Sequence, residues 1–328
     1  MSIEDRVEYY TKVTHFDEQS QPPPPAPRKT PSSSESISSP YYSQNWNTGP
    51  LCVSPSTWSF SSTSYLTLLQ SLRLTYFHEL YSSSLDFPTP PSLCVRLGDT
   101  HSPSPHPCLT KSATTGSSII YKLNTKRHWS LTHLDSTPWS SKKNVAIFRG
   151  ATTGHPWPPT SNPPKPGCSR YSLISRYSSS SSPSLSVGVT SYVQSVEPSY
   201  GKKWPLPQSY LLKNKILIMT EGNDVATGLK WALLSNSAVL MERPKVRSWL
   251  MEDLLIPWKH YIPVADDFGD LEEKVDWCWE NERECEDIGR AGKCWIMQFL
   301  DQEREVKIMR KVWEAAGERQ KAAGTCEI

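Results

Sequence analysis

Residues 215–242, "KILIMTEGNDVATGLKWALLSNSAVLME", constrain the fold more tightly than any other stretch. The aliphatic run KILIM, with no polar alternation, reads as a strand buried on both faces. Helical periodicity follows in DVATGLKWALLSN, and a second aliphatic run, SAVLM, closes the unit. Strand, helix and strand in this order join two parallel strands by a right-handed crossover. VRSWLMEDLL then reads as a helix and HYIPV as another strand, so the expected class is α/β with a parallel sheet. After Asp270 the sequence is helical nearly throughout. Val275, Cys278 and Trp279 share one side of its first helix, and Ile288, Ala291, Trp295, Phe299 and Leu300 form a stripe on the second that reads as core packing.

The first half has a different texture. Much of the chain's 29 prolines and many serines fall in two stretches, one near the start and one at about 155–188, and hydrophobic content is only 37%. Such segments bury too little surface to repay their ordering entropy. The expected organisation is a disordered Pro/Ser-rich leader (1–60), a partial N-terminal domain (61–154), a Pro/Ser-rich loop or linker (155–200), a compact C-terminal domain (201–316) and a tail (317–328). Within the N-terminal part, residues 61–88 fit one amphipathic helix, and LCVRLG, SSIIYKL and NVAIFRG read as strands. The net charge of +2 comes with no Lys/Arg stripe, which argues against a nucleic-acid partner. The longest apolar runs fall far short of the roughly 20 residues of a membrane span. The first residues carry acids and no apolar core of a secretory signal, so the protein is expected to be cytoplasmic if this start is correct. Eight cysteines at long spacings form no zinc pattern, and Cys278 and Cys285 read as packed thiols.

Three strand ends carry residues with chemical potential. Glu221, Gly222, Asn223 and Asp224 lie between a buried strand and a helix, where open α/β sheets bind ligands; glycine allows close approach, and Asp224 reads equally as the helix N-cap. Arg149, Gly150, Ala151, Thr152, Thr153 and Gly154 offer a guanidinium and two hydroxyls suited to a diphosphate, or else form a solvated turn. Asp99, after VRLG, is placed either as a general base in a cleft or as a turn residue. His101 and His106 read as loop residues.

In their order, "VRLGDTHSPSPHP", "SIIYKLNTKRHW", "NVAIFRGATTG", "SRYSLISRY", "EGNDVATGLKWALLSNSAVLM", "LIPWKHYIPV" and "DLEEKVDWCWEN" resemble glycosyltransferase family 90, the capsule-associated and Rumi-type protein O-glucosyltransferases. The resemblance covers about 93–315 and is most specific over 215–300. It implies a GT-B-like fold of two Rossmann-like domains, here with the N-terminal one incomplete or divergent. It also implies inverting, metal-independent transfer of glucose or xylose from a UDP-sugar to a protein or glycan hydroxyl, with no cofactor beyond the donor. On that resemblance Asp99 is the catalytic base and Arg149 binds the diphosphate with Gly150 and Thr152 beside it. Arg170 supplies a second cation, and Gly222, Asn223, Ala226, Thr227 and Lys230 border the nucleotide. Gly228 departs from the pattern: animal members place a phosphate-binding Arg there, and Lys230 is the residue expected to compensate. The resemblance implies the lumen of the ER or Golgi. Two readings follow, an active transferase and a non-catalytic or truncated relative; a Pro-rich scaffold is a third for residues 21–27 alone.

Overall fold

The computed structural model describes residues 1–12, 51–54, 59–60, 93–96, 107–114, 118–122, 135–154, 169–193 and 203–324. Helix α1 (Ile3–Thr11) comes first, followed by β1 (Leu51–Ser54), β2 (Ser59–Phe60), β3 (Leu93–Arg96), β4 (Leu109–Thr110), β5 (Ser112–Ala113) and β6 (Ile119–Ile120). A small mixed sheet runs β2-β1-β3-β4-β6, antiparallel around β1 and parallel from β3 to β6. A disulfide between Cys94 and Cys108 joins β3 to the start of β4. That pairing was not legible from cysteine spacing, because only the register of the two strands brings positions 14 apart together.

The larger sheet begins with β7 (Lys143–Ala151), followed by α2 (Ser169–Tyr177), β8 (Leu185–Ser191), α3 (Gln208–Leu211), β9 (Asn214–Ile218), α4 (Leu229–Leu234) and β10 (Ala238–Met241). β11 (Arg247–Ser248) pairs with β5 instead, and β12 (Ile262–Pro263) completes the large sheet in the order β12-β10-β9-β7-β8, every neighbour parallel. The α/β expectation therefore holds, with a Rossmann-like parallel sheet. Period-two alternation splits its side chains into two layers. Ile147, Leu217, Val239 and Met241 face one core with Leu229, Ala232 and Leu233 of α4. Phe148, Ile216, Ile218 and Leu240 face the other with Leu173 and Ile174 of α2. Burying each such aliphatic side chain contributes about 1.5–3 kcal/mol.

Three long helical segments follow: α5 (Leu271–Glu280), α6 (Glu282–Met297) and α7 (Gln302–Ala322). Val275 and Cys278 are buried as expected, and Cys278 and Cys285 are buried free thiols. In the predicted stripe Ile288 and Phe299 are buried, but Leu300 is exposed and Ile296 takes the inward position.

Four segments differ from the sequence reading. Residues 3–11 are not leader: Ser2 caps α1, and buried Arg6 pairs with Glu305 of α7 while Tyr10 Oη donates to Trp249 O at 2.6 Å. Nor is 317–328 all tail, since α7 continues to Ala322 and buried Gln320 accepts from Cys94 N at 2.7 Å. The boundary near 154 also moves. β7 is hydrogen-bonded between β8 and β9, and the supposed linker supplies α2 and β8, so 143–154 and 169–193 belong to the large sheet. Serine richness hid this strand, in which Val187 and Val189 are fully buried. Last, VRSWLMEDLL is not a helix: Arg247–Ser248 pairs with β5, Met251 is left-handed at φ 57°, and Glu252 caps the bend by accepting from Ser248 N at 2.6 Å and Ser248 Oγ at 2.7 Å. The helix expected over 61–88 lies outside the described residues.

Candidate active site

Counted in chain order, the large sheet runs second-first-third-fourth-fifth, so the crossovers diverge at the junction of β7 and β9. α2 leaves β7 toward one face and α4 leaves β9 toward the other, as their separate cores show. Open α/β sheets form their ligand crevice at such a switch point, at the carboxyl ends of the strands. A cleft of about 310 Å³ lies there, walled by Phe148–Ala151 on one side and Ile218–Thr220 and residues 222–228 on the other.

The two strand-end loops are tied together. Gly154, at φ +110°, a backbone favouring glycine, donates its N–H to Asn223 Oδ1 at 2.8 Å. Arg170, in the first turn of α2, donates to Ala151 O at 3.2 Å, to Thr220 O at 2.8 Å and to Thr153 Oγ1. A Cβ on Gly222 would fall 2.5 Å from that hydroxyl and 3.2 Å from the guanidinium, so any side chain there would displace the Thr153 hydroxyl and disturb the tie. Burial pulls the Arg170 pKa down to about 10, with Glu242 and Glu221 opposing the shift; it stays a cation at neutral pH.

Arg149 also lines the cleft, donating to Phe148 O at 2.7 Å, Ser186 O at 2.8 Å and Ser186 Oγ at 2.9 Å. Burial lowers its pKa. Among the described residues both guanidiniums are held by neutral oxygens and neither forms an ion pair with a carboxylate, so their charge stands ready for an anion. Beneath the β9 loop, Glu221 accepts from Lys245 N and Val246 N, each at 2.9 Å, and buried Glu242 accepts from Thr220 Oγ1 at 2.8 Å and Glu221 N at 3.0 Å. Burial and the neighbouring Glu242 push the Glu221 carboxyl up to about 8.

Of the residues singled out from sequence, the fold gathers Arg149, Gly150, Arg170, Gly222, Asn223, Ala226 and Thr227 around one cleft. Thr152 is not among them. Its side chain is fully buried and turned to Val193, accepting from Val193 N at 2.8 Å and donating to Val193 O at 3.0 Å, while Thr153 faces the cleft. Lys230 is also elsewhere: fully buried on the core side of α4, it pairs with Glu252 at 2.9 Å and cannot stand in for a cation at Gly228. Asp224 is not an N-cap, because α4 starts only after Gly228; it is buried and pairs with Lys111 at 2.6 Å. The helix over DVATGLKWALLSN is thus six residues long, and 224–228 is irregular. Asp99 lies outside the described residues. Sequence reasoning missed Lys111 and Trp231, both cleft residues. Trp231 was legible as the helical neighbour of Gly228, but Lys111 arrives through the long-range pairing of β5 with β11.

Comparison with known proteins decides the family. The family model described as Glycosyl transferase family 90 matches residues 116–325. The chain belongs to glycosyl transferase family 90. It is a glycosyltransferase by that membership, as the sequence resemblance implied. An O-glucosyltransferase LpsA of Dichelobacter nodosus is 27% identical over 70% of this chain and 68% of its own length. Human protein O-glucosyltransferase 3 is 28% identical over 56% of this chain, which spans only 33% of that relative. An uncharacterised protein, 027R, of Frog virus 3 is 32% identical over 48% of this chain and 18% of its own length. The chain therefore spans about two thirds of the bacterial relative and a third or less of the other two. No helix among the described residues is long and apolar enough to cross a membrane.

Proposed function

We propose that this member of the family transfers glucose or xylose from a UDP-sugar to a hydroxyl of a protein or glycan acceptor, with inversion and without a metal ion. The observation that carries the reading is the switch-point cleft, where Arg149 and Arg170 present guanidiniums bound, among the described residues, to neutral oxygens. A leaving diphosphate needs positive charge already in place as it separates, and fixed donors supply this without reorganisation. The larger sheet would be the donor half of a GT-B pair, with the smaller N-terminal sheet on the acceptor side. Asp99, by family resemblance, takes the acceptor proton as the sugar carbon is attacked. The acceptors are expected in the secretory lumen, and the Cys94–Cys108 disulfide supports that compartment.

The test is turnover of UDP-glucose and UDP-xylose by purified protein in excess chelator, with the anomer of the product identified. Asp99→Asn should abolish turnover and leave UDP binding intact; retained turnover would reject Asp99 as base. Saturating UDP should raise the melting temperature, because a ligand that binds only the folded state stabilises it. Binding without turnover of either sugar would identify a non-catalytic relative, and absence of UDP binding would remove the nucleotide-sugar reading.

A further inference from the structure

The cleft holds a third cation that neither the sequence nor the family assignment marks out. Lys111 lies beside β5, and the pairing of Ser112 with Ser248 and Ala113 with Arg247 fixes its backbone to a loop of the larger unit. Its side chain enters the same cleft as Arg149 and Arg170, is almost wholly buried, and pairs with Asp224 at 2.6 Å. A buried ion pair is a poor source of net stability, so its place on a ligand cleft calls for another role.

The hydrogen bonds of Asp224 show what that role is. Its Oδ2 accepts from Ser112 Oγ at 2.8 Å and its Oδ1 from Val225 N at 2.7 Å. Both carboxylate oxygens therefore keep a hydrogen-bond donor when the lysine leaves, so the cost of its departure is the lost ion pair alone, which a new contact to a diphosphate offsets. The ammonium is a compact point charge on a flexible stem, able to swing between acceptors as a planar guanidinium is not. Gly228, on the same cleft, adds no side chain to compete for an incoming anion.

We infer that Lys111 is a ligand-binding residue, held by Asp224 until a nucleotide binds and then transferred to its diphosphate. Asp224 is then a positioning residue, and the turn between β4 and β5 completes a site otherwise built by the large sheet. This rests on the proposed nucleotide-sugar reading.

Calorimetric titration of the full chain with UDP and with uridine, which lacks the diphosphate, tests it. Lys111→Met should weaken UDP about tenfold or more and leave uridine unchanged, and Lys111→Arg should restore most of the loss. Asp224→Asn, which breaks the pair but keeps the ammonium and both of the other hydrogen-bonding partners, should bind UDP as well as wild type or better. Unchanged UDP affinity in Lys111→Met, or equal losses for UDP and uridine, would overturn the inference and leave the pair as a latch between sheets. If Lys111→Met does not fold, Asp224→Asn still decides: loss of UDP binding in a folded variant fits the latch alone. Failure of wild-type protein to bind UDP removes the parent reading as well, which separates the two outcomes.

Discussion

α2 and α4 hold corresponding places, each following a strand that ends at the cleft, yet they serve it in opposite ways. The first turn of α2 carries Arg170, whose guanidinium reaches both strand-end loops. α4 begins at Gly228 with no side chain, sends Lys230 into the core and presents Trp231 to the cleft. One wall supplies fixed charge and the other supplies space. Two crossovers of the same topology can therefore differ in function through the angle of one residue about a helix axis. Residues 228 and 231 share a face, whereas 230 lies well around the helix.

The largest effect that would break this contrast is at Lys230. Lys230→Met leaves the Glu252 carboxylate, which also accepts from Ser248, without its buried cation, and should cost about 3–5 kcal/mol in a denaturant melt. At ligand concentrations that keep it folded, its UDP affinity should match wild type; a selective loss of affinity would return Lys230 to the cleft. Arg170→Ala should show the reverse pattern. It removes the tie between the loops and a charge in the cleft, with UDP affinity falling by about 2–3 kcal/mol in titration calorimetry.

Gly228→Arg sharpens the comparison by giving the second wall a charge. The new Cβ would lie 3.1 Å from Met219 Sδ and 3.2 Å from Trp231 Nε1, both side-chain atoms able to move a few tenths of an ångström. Its UDP affinity should rise about tenfold, about 1.4 kcal/mol, and the gain should shrink with added salt. The remaining effect concerns pH. The Glu221 carboxyl titrates at about 8 in the fold against its ordinary 4.5, so the native state holds more protons than the unfolded state between those values. Stability from this group is therefore fully present below about 4.5 and declines as pH rises through 8. Glu221→Gln keeps a carbonyl oxygen for the Lys245 and Val246 amides; its advantage over wild type should be smallest near pH 4.5 and grow by up to about 1.4 kcal/mol per pH unit toward pH 8 in paired thermal melts.

The legible parts of the fold were those with local period. KILIM and SAVLM became adjacent parallel strands, and the helices after Asp270 formed as written, because burial on both faces or along one stripe leaves its mark on neighbouring residues. The illegible parts depended on distant partners. SLSVGVTS looked like more serine-rich linker, yet it fills an edge of the large sheet beside β7. MSIEDRVEYYT looked like leader, yet its Arg6 finds an acid 299 positions away.

The same division runs through the site. Alone, the sequence determined an α/β chain with a crossover at 215–242, placed Arg149 near a strand end and Arg170, Gly222 and Asn223 at turns and element starts, and carried the resemblance that the family match bears out. Tertiary structure decided that β7 belongs beside β9, which creates the switch point and its cleft. It also turned Thr152 and Lys230 away from that cleft and brought Lys111 into it. The physical reason is that a turn or helix start fixes where a backbone goes. Which side chains meet in a cleft is set by strand order and by the direction of each residue about its own element, and both depend on pairings made across the chain.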